Sequence, residues 1–250
     1  MSFFRSFLDH TGRELHLAPF VFSHYGKNPH WVVWRNQTGL SGLATIRAME
    51  FVRRAPGHPS RLGILPGTFN PITVAHLALG RAALSRVDEV VFALPRILPH
   101  KEYTGASFDE RVEMLLTALA DEPAFSIAAV DRGLFVEIAA ECRAAYGEEV
   151  ALWFLCGRDA AERVANWDYG EPGAFAGMLR QFDLLVASRQ GTYQPPPELE
   201  AAVSRLDLPG GFDHVSATEV RERITRGEPW EHLVPAAIIG KVREIYPTGG

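Results

Sequence analysis

The sequence predicts an α/β fold that is built on a parallel β-sheet and preceded by an N-terminal extension. From residue 61 onward, short apolar runs alternate with amphipathic segments of about 10 to 15 residues, a pattern typical of βαβ units and parallel sheets. The 250 residues are 47% hydrophobic and 22% charged, which indicates a globular chain with a substantial core. In such sheets, ligands bind at the carboxyl ends of the strands.

Residues 1–59 are interpreted as an extension of unknown role, separate from a domain at residues 60–250. Within the extension, Trp31–Trp34 predicts a strand and Ser41–Arg54 predicts a short helix with its apolar residues on one face. Residues 55–60 are rich in proline and glycine, so they predict a loop. We expect the extension to pack on the domain or on a second subunit; the alternative is that it contacts a substrate or partner through Trp31 and Trp34.

The domain contains five apolar runs and five helical patterns. The runs predict strands at Leu62–Leu65, Val87–Leu94, Phe125–Val130, Val150–Cys156 and Phe182–Ser188. The 3.6-residue periodicity predicts helices at Pro71–Ser85, Ser107–Leu119, Phe135–Tyr146, Pro197–Leu206 and Thr218–Tyr246.

Charge and composition exclude several classes of partner. The chain has 25 Lys and Arg against 30 Asp and Glu, a net charge of −5, which argues against an extended basic surface for nucleic acid but allows a small anionic ligand. No apolar run approaches the ~18 residues of a membrane helix, and the N-terminus does not resemble a signal peptide, so we expect no membrane partner. The two cysteines, Cys142 and Cys156, predict buried free thiols in a cytoplasmic protein.

The turn after the first domain strand is a candidate phosphate site. Asn70 fits the N-cap and Pro71 the first helical position, which places Thr73 and His76 on one side of the first turns. Free backbone amides and the positive helix end favour an anion there, and Gly67 allows a close approach. A tight turn with a solvent-facing histidine explains the same residues about equally well.

A second helix N-terminus is predicted near the end of the chain. Ser216 and Glu219 form a capping box at the start of an amphipathic helix. The capping box explains both of these residues, but it does not explain Arg221, which follows two positions later.

The two segments together resemble the signature of the nucleotidyltransferase superfamily. Residues 67–77 read Gly-Thr-Phe-Asn-Pro-Ile-Thr-Val-Ala-His-Leu, against the usual Gly-Thr-Phe-Asp-Pro-Ile-His-x-Gly-His-Leu. Residues 215–221 resemble its Ile-Ser-Ser-Thr-x-Ile-Arg motif. The resemblance implies a Rossmann-like three-layer α/β/α fold that binds a nucleoside triphosphate through Gly67, Thr68, Phe69, Ser216, Thr218 and Arg221. Thr73 and Ala75 depart from the usual His and Gly.

Further segments resemble nicotinate mononucleotide adenylyltransferases in particular. Residues 94–101 read Leu-Pro-Arg-Ile-Leu-Pro-His-Lys and precede a Phe-x-x-Arg-x-x-Met helix. The resemblance implies that His76, Thr73 and Lys101 take part in catalysis, and that Gly157, Asp159 and Trp167 bind the acceptor. Residues 133–138 depart from the family, because Gly-Leu-Phe-Val-Glu-Ile replaces a hydroxyl-rich segment that helps to hold the nicotinate end.

The implied reaction is transfer of AMP from ATP to the phosphate of a mononucleotide, with nicotinate mononucleotide as the expected acceptor and pyrophosphate as the leaving group. Mg²⁺ is expected to bridge ATP oxygens. Four alternatives stay open: another phosphorylated acceptor, CTP in place of ATP, a nucleotide-binding module without turnover, and a protein–protein module that uses the aromatic N-terminal segment. The sequence leaves open whether the chain forms a homo-oligomer.

Overall fold

The computed structural model describes residues 7–8, 14–15, 31–35, 41–45, 49–97, 105–158, 161–162, 177, 179–187, 195, 197, 200–208, 210–212 and 214–247. Before residue 49, only the backbone is described. No helix of the described part of the chain is long and apolar enough to cross a membrane.

Strands and helices alternate from residue 61 to residue 157. The strands are β1 (Phe7–Leu8), β2 (Glu14–Leu15), β3 (Trp31–Arg35), β4 (Ser41–Thr45), β5 (Glu50–Arg53), β6 (Arg61–Pro66), β7 (Glu89–Pro95), β8 (Phe125–Val130), β9 (Ala151–Gly157), β10 (Asp183–Ala187) and β11 (Val203–Leu206). The α-helices are α1 (Val74–Ala83), α2 (Phe108–Ala118), α3 (Phe135–Tyr146), α4 (Ala217–Arg226) and α5 (Ile239–Ile245). Single 3-10 turns lie at Glu231–Leu233 and Ala236–Ile238.

Seven strands form one sheet in the order β11-β10-β9-β6-β7-β8-β5. All pairs from β11 to β8 are parallel, and β5 pairs antiparallel with β8 at one edge. The chain runs outward from β6 to β8 and then returns to the other side of β6 as β9. This reversal leaves a crevice between the carboxyl ends of β6 and β9, where ligands bind in open α/β sheets.

Helices cover both faces of the sheet, so the predicted three-layer α/β/α fold with a parallel sheet is confirmed. Side chains alternate along β7, with Phe92 on one face and Val91 on the other. The Phe92 face packs against buried residues of α1, α2, α4 and α5, and the Val91 face packs against those of α3. The predicted strand at Trp31–Trp34 is also confirmed, as β3.

The predicted helix at Ser41–Arg54 is wrong, because this segment contains two strands. Ser41–Thr45 pairs with β3, and Glu50–Arg53 pairs with β8 as an edge strand of the main sheet. Arg53 fastens this edge strand, because its guanidinium donates to the carbonyls of Leu119, Glu122 and Phe125. The boundary between residues 59 and 60 stays a prediction.

Three other helix predictions need correction. The helix expected from Pro71 begins at Val74 with Thr73 as its N-cap, so Asn70 is not the cap and Pro71 is not the first helical residue. The helix expected at Pro197–Leu206 is wrong at its end, because Val203–Leu206 is a parallel edge strand paired with β10. The helix expected at Thr218–Tyr246 is divided into α4 and α5.

Glu141 is a buried carboxyl group on α3, and it makes stability depend on pH. Its side chain is 3% exposed, and burial raises its pKa from 4.5 to about 7, with Asp131 and Glu137 adding like charge. The folded state therefore binds more protons than the unfolded state between these two pH values. Consequently, we expect the free energy of unfolding to fall as pH rises from 4.5 to 7.

Replacing Glu141 with glutamine is expected to flatten this decline and to raise stability at pH 8, because no buried charge then forms. Glutamine keeps an acceptor for the backbone N–H of Asp131, which lies 3.1 Å from Oε1. Urea unfolding between pH 4 and 8 measures the effect. Glu149→Gln, which removes an exposed carboxylate, serves as the control. Equal slopes for Glu141→Gln and the wild type would contradict the prediction.

Candidate active site

The crevice between β6 and β9 is bordered by glycines on both sides. In the β6–β9 ladder, Ile64 pairs with Phe154, so Gly67 and Gly157 both lie three residues beyond this pair. Gly157 also pairs with Ala187 of β10. The structure therefore brings two of the predicted binding residues to the same level of the switch point, one from each strand.

The loop after β6 follows a fixed path over the core. The backbone N–H of Gly67 donates to the carbonyl of Ala93 at 3.1 Å. A Cβ on Gly67 would lie 3.0 Å from the ring of Phe69, which turns beneath the loop with a φ of 47°. Phe69 is buried and packs edge-on against His76 with ring centroids 5.2 Å apart. Hence Phe69 can offer a nucleotide only its backbone.

The start of α1 orients His76. The backbone N–H of Thr73 donates to Nδ1 of His76 at 3.0 Å, and the Thr73 hydroxyl lies 2.8 Å from the same nitrogen. Because Nδ1 accepts, the neutral ring carries its hydrogen on Nε2. Thr73 is fully buried, so its side chain acts on the histidine. The result is a half-buried imidazole with a donor at Nε2, located at a helix N-terminus.

The start of α4 carries the second predicted phosphate contact. The hydroxyl of Ser216 accepts from the N–H of Glu219 at 3.0 Å, as the capping box predicts, whereas the Glu219 carboxylate pairs with Arg223 at 2.6 Å. The side chains of Ser216 and Thr218 are exposed, and the Arg221 guanidinium lies 3.3 Å from Oγ1 of Thr218. These groups form a polar, positively charged helix end.

Arg221 connects the two helix N-termini. Its Nη1 donates to the carbonyl of Asn70 at 2.5 Å and to the carbonyl of Ala217 at 3.1 Å. Asn70 belongs to the loop before α1, and Ala217 is the first residue of α4. The structure thereby brings Arg221 to the loop before α1, which lies 151 residues away in the sequence.

The sequence did not predict the contacts of three buried polar residues around the loop, Asn70, Arg111 and Tyr246. Arg111 of α2 donates from Nη1 to the carbonyl of Thr68 at 3.0 Å, and the Asn70 side chain accepts from the hydroxyl of Tyr246. Arg111 did leave a signal, because it is a charged residue on the apolar face of α2, next to Met114. The pairing of Asn70 with Tyr246 joins positions that are distant in the sequence, so it left no signal in the sequence.

The predicted residues Lys101, Asp159 and Trp167 lie outside the described residues. Their expected roles in catalysis and acceptor binding stay predictions. Within the described stretches, no group of three or more His, Cys, Asp or Glu side chains is arranged to hold a metal ion.

Solved structures share this fold. Nicotinic acid mononucleotide adenylyltransferase of Plasmodium falciparum, complexed with NaAD, superposes with a TM-score of 0.59 at 15% identity. The match covers 74% of this chain and 95% of that one. The same enzyme complexed with APC gives a TM-score of 0.57 at 15% identity, over 74% of this chain and 94% of that one.

Sequence relatives are more similar. Probable nicotinate-nucleotide adenylyltransferases of Solibacter usitatus and Moorella thermoacetica are 31% and 30% identical to this chain over 187 and 202 residues. These matches cover 71% and 74% of this chain and 94% and 90% of the relatives. They confirm the resemblance to this group of nucleotidyltransferases that the motifs predicted. Because the cytidylyltransferase-like family model also matches residues 64–223, this chain belongs to the cytidylyltransferase-like family.

Proposed function

We propose that this chain transfers AMP from ATP to the phosphate of nicotinate mononucleotide and releases pyrophosphate. The observation that carries the proposal is the bridge from Arg221 to the loop before α1, because it joins the N-terminus of α4 to the loop that follows β6. Helix N-termini offer donors and positive potential to a triphosphate. The ~30% identity to probable nicotinate-nucleotide adenylyltransferases over most of their length supports the same reaction.

The proposed chemistry is an in-line displacement without a protein nucleophile. An oxygen of the acceptor phosphate forms a bond to the α-phosphorus of ATP, and the bond from that phosphorus to the bridging oxygen of the β-phosphate breaks. The electron pair leaves with pyrophosphate. The Nε2–H of His76 and the Arg221 guanidinium stabilise the charge that builds on the phosphate oxygens. Positioning of the two substrates supplies the remaining acceleration.

The positive charge of Lys101 stabilises the negative charge on the phosphates. Gly157, Asp159 and Trp167 bind the acceptor. Mg²⁺ would accompany ATP as part of the substrate and would neutralise charge on its phosphates. A cytoplasmic location is supported by both cysteines, which are buried free thiols.

A second acceptor, nicotinamide mononucleotide, is favoured by one observation in the first turn of α3. The hydroxyl-rich segment that the resemblance implies is absent, and Glu137 stands in this turn. Its Oε2 is buried without a hydrogen-bond partner among the described residues, and its Oε1 lies 3.8 Å from Nη1 of Arg132, whose charge favours the carboxylate form. A carboxylate oxygen accepts from a carboxamide NH₂, whereas it repels a second carboxylate.

A pyrophosphate-release assay with the full chain tests the proposal. ATP and CTP are each combined with nicotinate mononucleotide, nicotinamide mononucleotide, phosphopantetheine and a sugar phosphate. We expect turnover with ATP and one of the two pyridine mononucleotides, and the ratio of their rates identifies the acceptor. Binding of ATP in a calorimeter without turnover on any acceptor would contradict transfer and indicate a nucleotide-binding module.

A further inference from the structure

The side chain of Asn70 connects segments that the proposed reaction needs in one arrangement. It is 4% exposed, and its Oδ1 accepts from the backbone N–H of Ala106 at 3.1 Å and from the hydroxyl of Tyr246. Its own carbonyl accepts from Arg221. These partners lie 36, 176 and 151 residues away in the sequence. One residue therefore links the loop before α1 to the starts of α2 and α4 and to the end of α5.

The segment before α2 is shaped around this side chain. Gly105 has a φ of +119°, and a Cβ at this position would lie 2.7 Å from both Oδ1 and Nδ2 of Asn70. A glycine is required here for the backbone angle and for the space, which indicates that Asn70 is tightly enclosed.

Tyr246 is placed by α5 rather than by Asn70. Its backbone N–H donates to the carbonyl of Val242 at 2.9 Å, and Val242 is fully buried in the core shared with α1 and α4. Tyr246 itself is 8% exposed, so its hydroxyl needs a buried acceptor, which Asn70 supplies. The end of α5 thereby fixes the loop before α1.

We propose that Asn70 and Tyr246 are a positioning pair, which sets the separation of the two helix N-termini that bind the triphosphate. The proposal rests on the proposed adenylyl transfer. Neither side chain needs to touch the nucleotide, because the pair acts through the loop before α1 and through Arg221. Displacement of reacting groups by about 1 Å lowers a rate by about 100-fold, so partial loosening has a measurable effect.

Tyr246→Phe tests the pair, because it removes the donated hydrogen bond and keeps the ring. We expect kcat/KM for ATP to fall about tenfold, while KM for the acceptor stays within about twofold of the wild type. Tyr146→Phe is the matched control. It removes a hydroxyl that donates to buried Glu89 at the amino ends of the strands, so it lowers the melting temperature without changing the kinetic constants.

Variants of Asn70 provide a second test of the positioning pair. Asn70→Asp keeps an acceptor oxygen, so we expect its kcat/KM for ATP to stay within about threefold of the wild type. In Asn70→Leu, we expect kcat/KM for ATP to fall at least as far as in Tyr246→Phe. Asn70→Leu combined with Tyr246→Phe should be no less active than Asn70→Leu alone, because both remove the same bond.

Two results would overturn the inference, and they can be told apart. If the wild type turns over and Tyr246→Phe changes only the melting temperature, as Tyr146→Phe does, the pair is structural and this inference is overturned. If the wild type is silent with every acceptor, the proposed function fails first, and the inference fails with it.

Discussion

Replacing His76 with alanine is expected to lower kcat for pyrophosphate release about 100- to 1,000-fold, the loss typical of removing one donor to a developing oxyanion. The donor in question is Nε2–H, because Nδ1 accepts from the backbone of Thr73. KM for the acceptor should change little, since His76 lies at the N-terminus of α1, where the triphosphate is proposed to bind. Steady-state kinetics with ATP as the varied substrate measures both constants.

His76→Asn separates catalysis from folding. An asparagine oxygen can accept from the N–H of Thr73 in place of Nδ1, so the N-terminus of α1 stays capped while the donor at Nε2 is lost. We expect a melting temperature near that of the wild type and a kcat as low as that of His76→Ala. His58→Ala, an exposed histidine just before β6 and away from the crevice, should behave as the wild type. Full activity of His76→Asn would remove His76 from the mechanism.

The sequence was most informative where local pattern and tertiary packing agree. Phe125–Val130 and Phe135–Tyr146 were predicted with the bounds that the structure has, because each segment is a continuous apolar run or a clear amphipathic helix. Their alternation gave the parallel sheet. The switch point then followed from topology rather than from any single residue, since it depends on β9 returning to the far side of β6.

The main errors in the predicted secondary structure concern two edge strands, for which the sequence pattern indicated helices. The apolar residues of Ser41–Arg54 recur at a helical spacing, yet Glu50–Arg53 gains a ladder with β8 and three carbonyl partners for Arg53. Val203–Leu206 likewise ends a stretch with helical composition but completes the sheet beside β10. In both segments, long-range pairing outweighs local propensity, and a single sequence does not show that pairing.

The site was predictable in its residue types and not in its connections. Helix N-termini and their capping hydroxyls could be recognised from spacing, whereas Arg221 was identified by the resemblance to the nucleotidyltransferase motif. Helix α1 begins three residues after Pro71, the predicted first helical residue, because Asn70 is a strong N-cap type whose side chain is instead buried between Ala106 and Tyr246. That burial also explains why Thr73, a weaker cap, begins the helix.

Replacing Arg221 is expected to produce the second large loss, in kcat/KM for ATP. Its guanidinium bridges the carbonyls of Asn70 and Ala217 and stands beside the hydroxyl of Thr218. Arg221→Ala removes both the charge and the bridge, and we expect a loss of about 100-fold or more. Arg221→Lys keeps the charge, but a single ammonium group does not reproduce the planar, several-pronged guanidinium, so we expect about a tenfold loss. Initial rates at varied ATP measure both.

Arg226→Ala supplies the control from the same helix. Arg226 lies at the far end of α4 and pairs with Glu228 at 2.9 Å, so its removal changes surface charge without touching the loop before α1. We expect wild-type kinetic constants. The lysine variant distinguishes the two contributions of Arg221: activity equal to the wild type would mean that charge alone matters, which contradicts the bridge. A loss in Arg221→Lys, with Arg226→Ala unchanged, would mean that the arginine geometry holds the two phosphate-binding helix ends together.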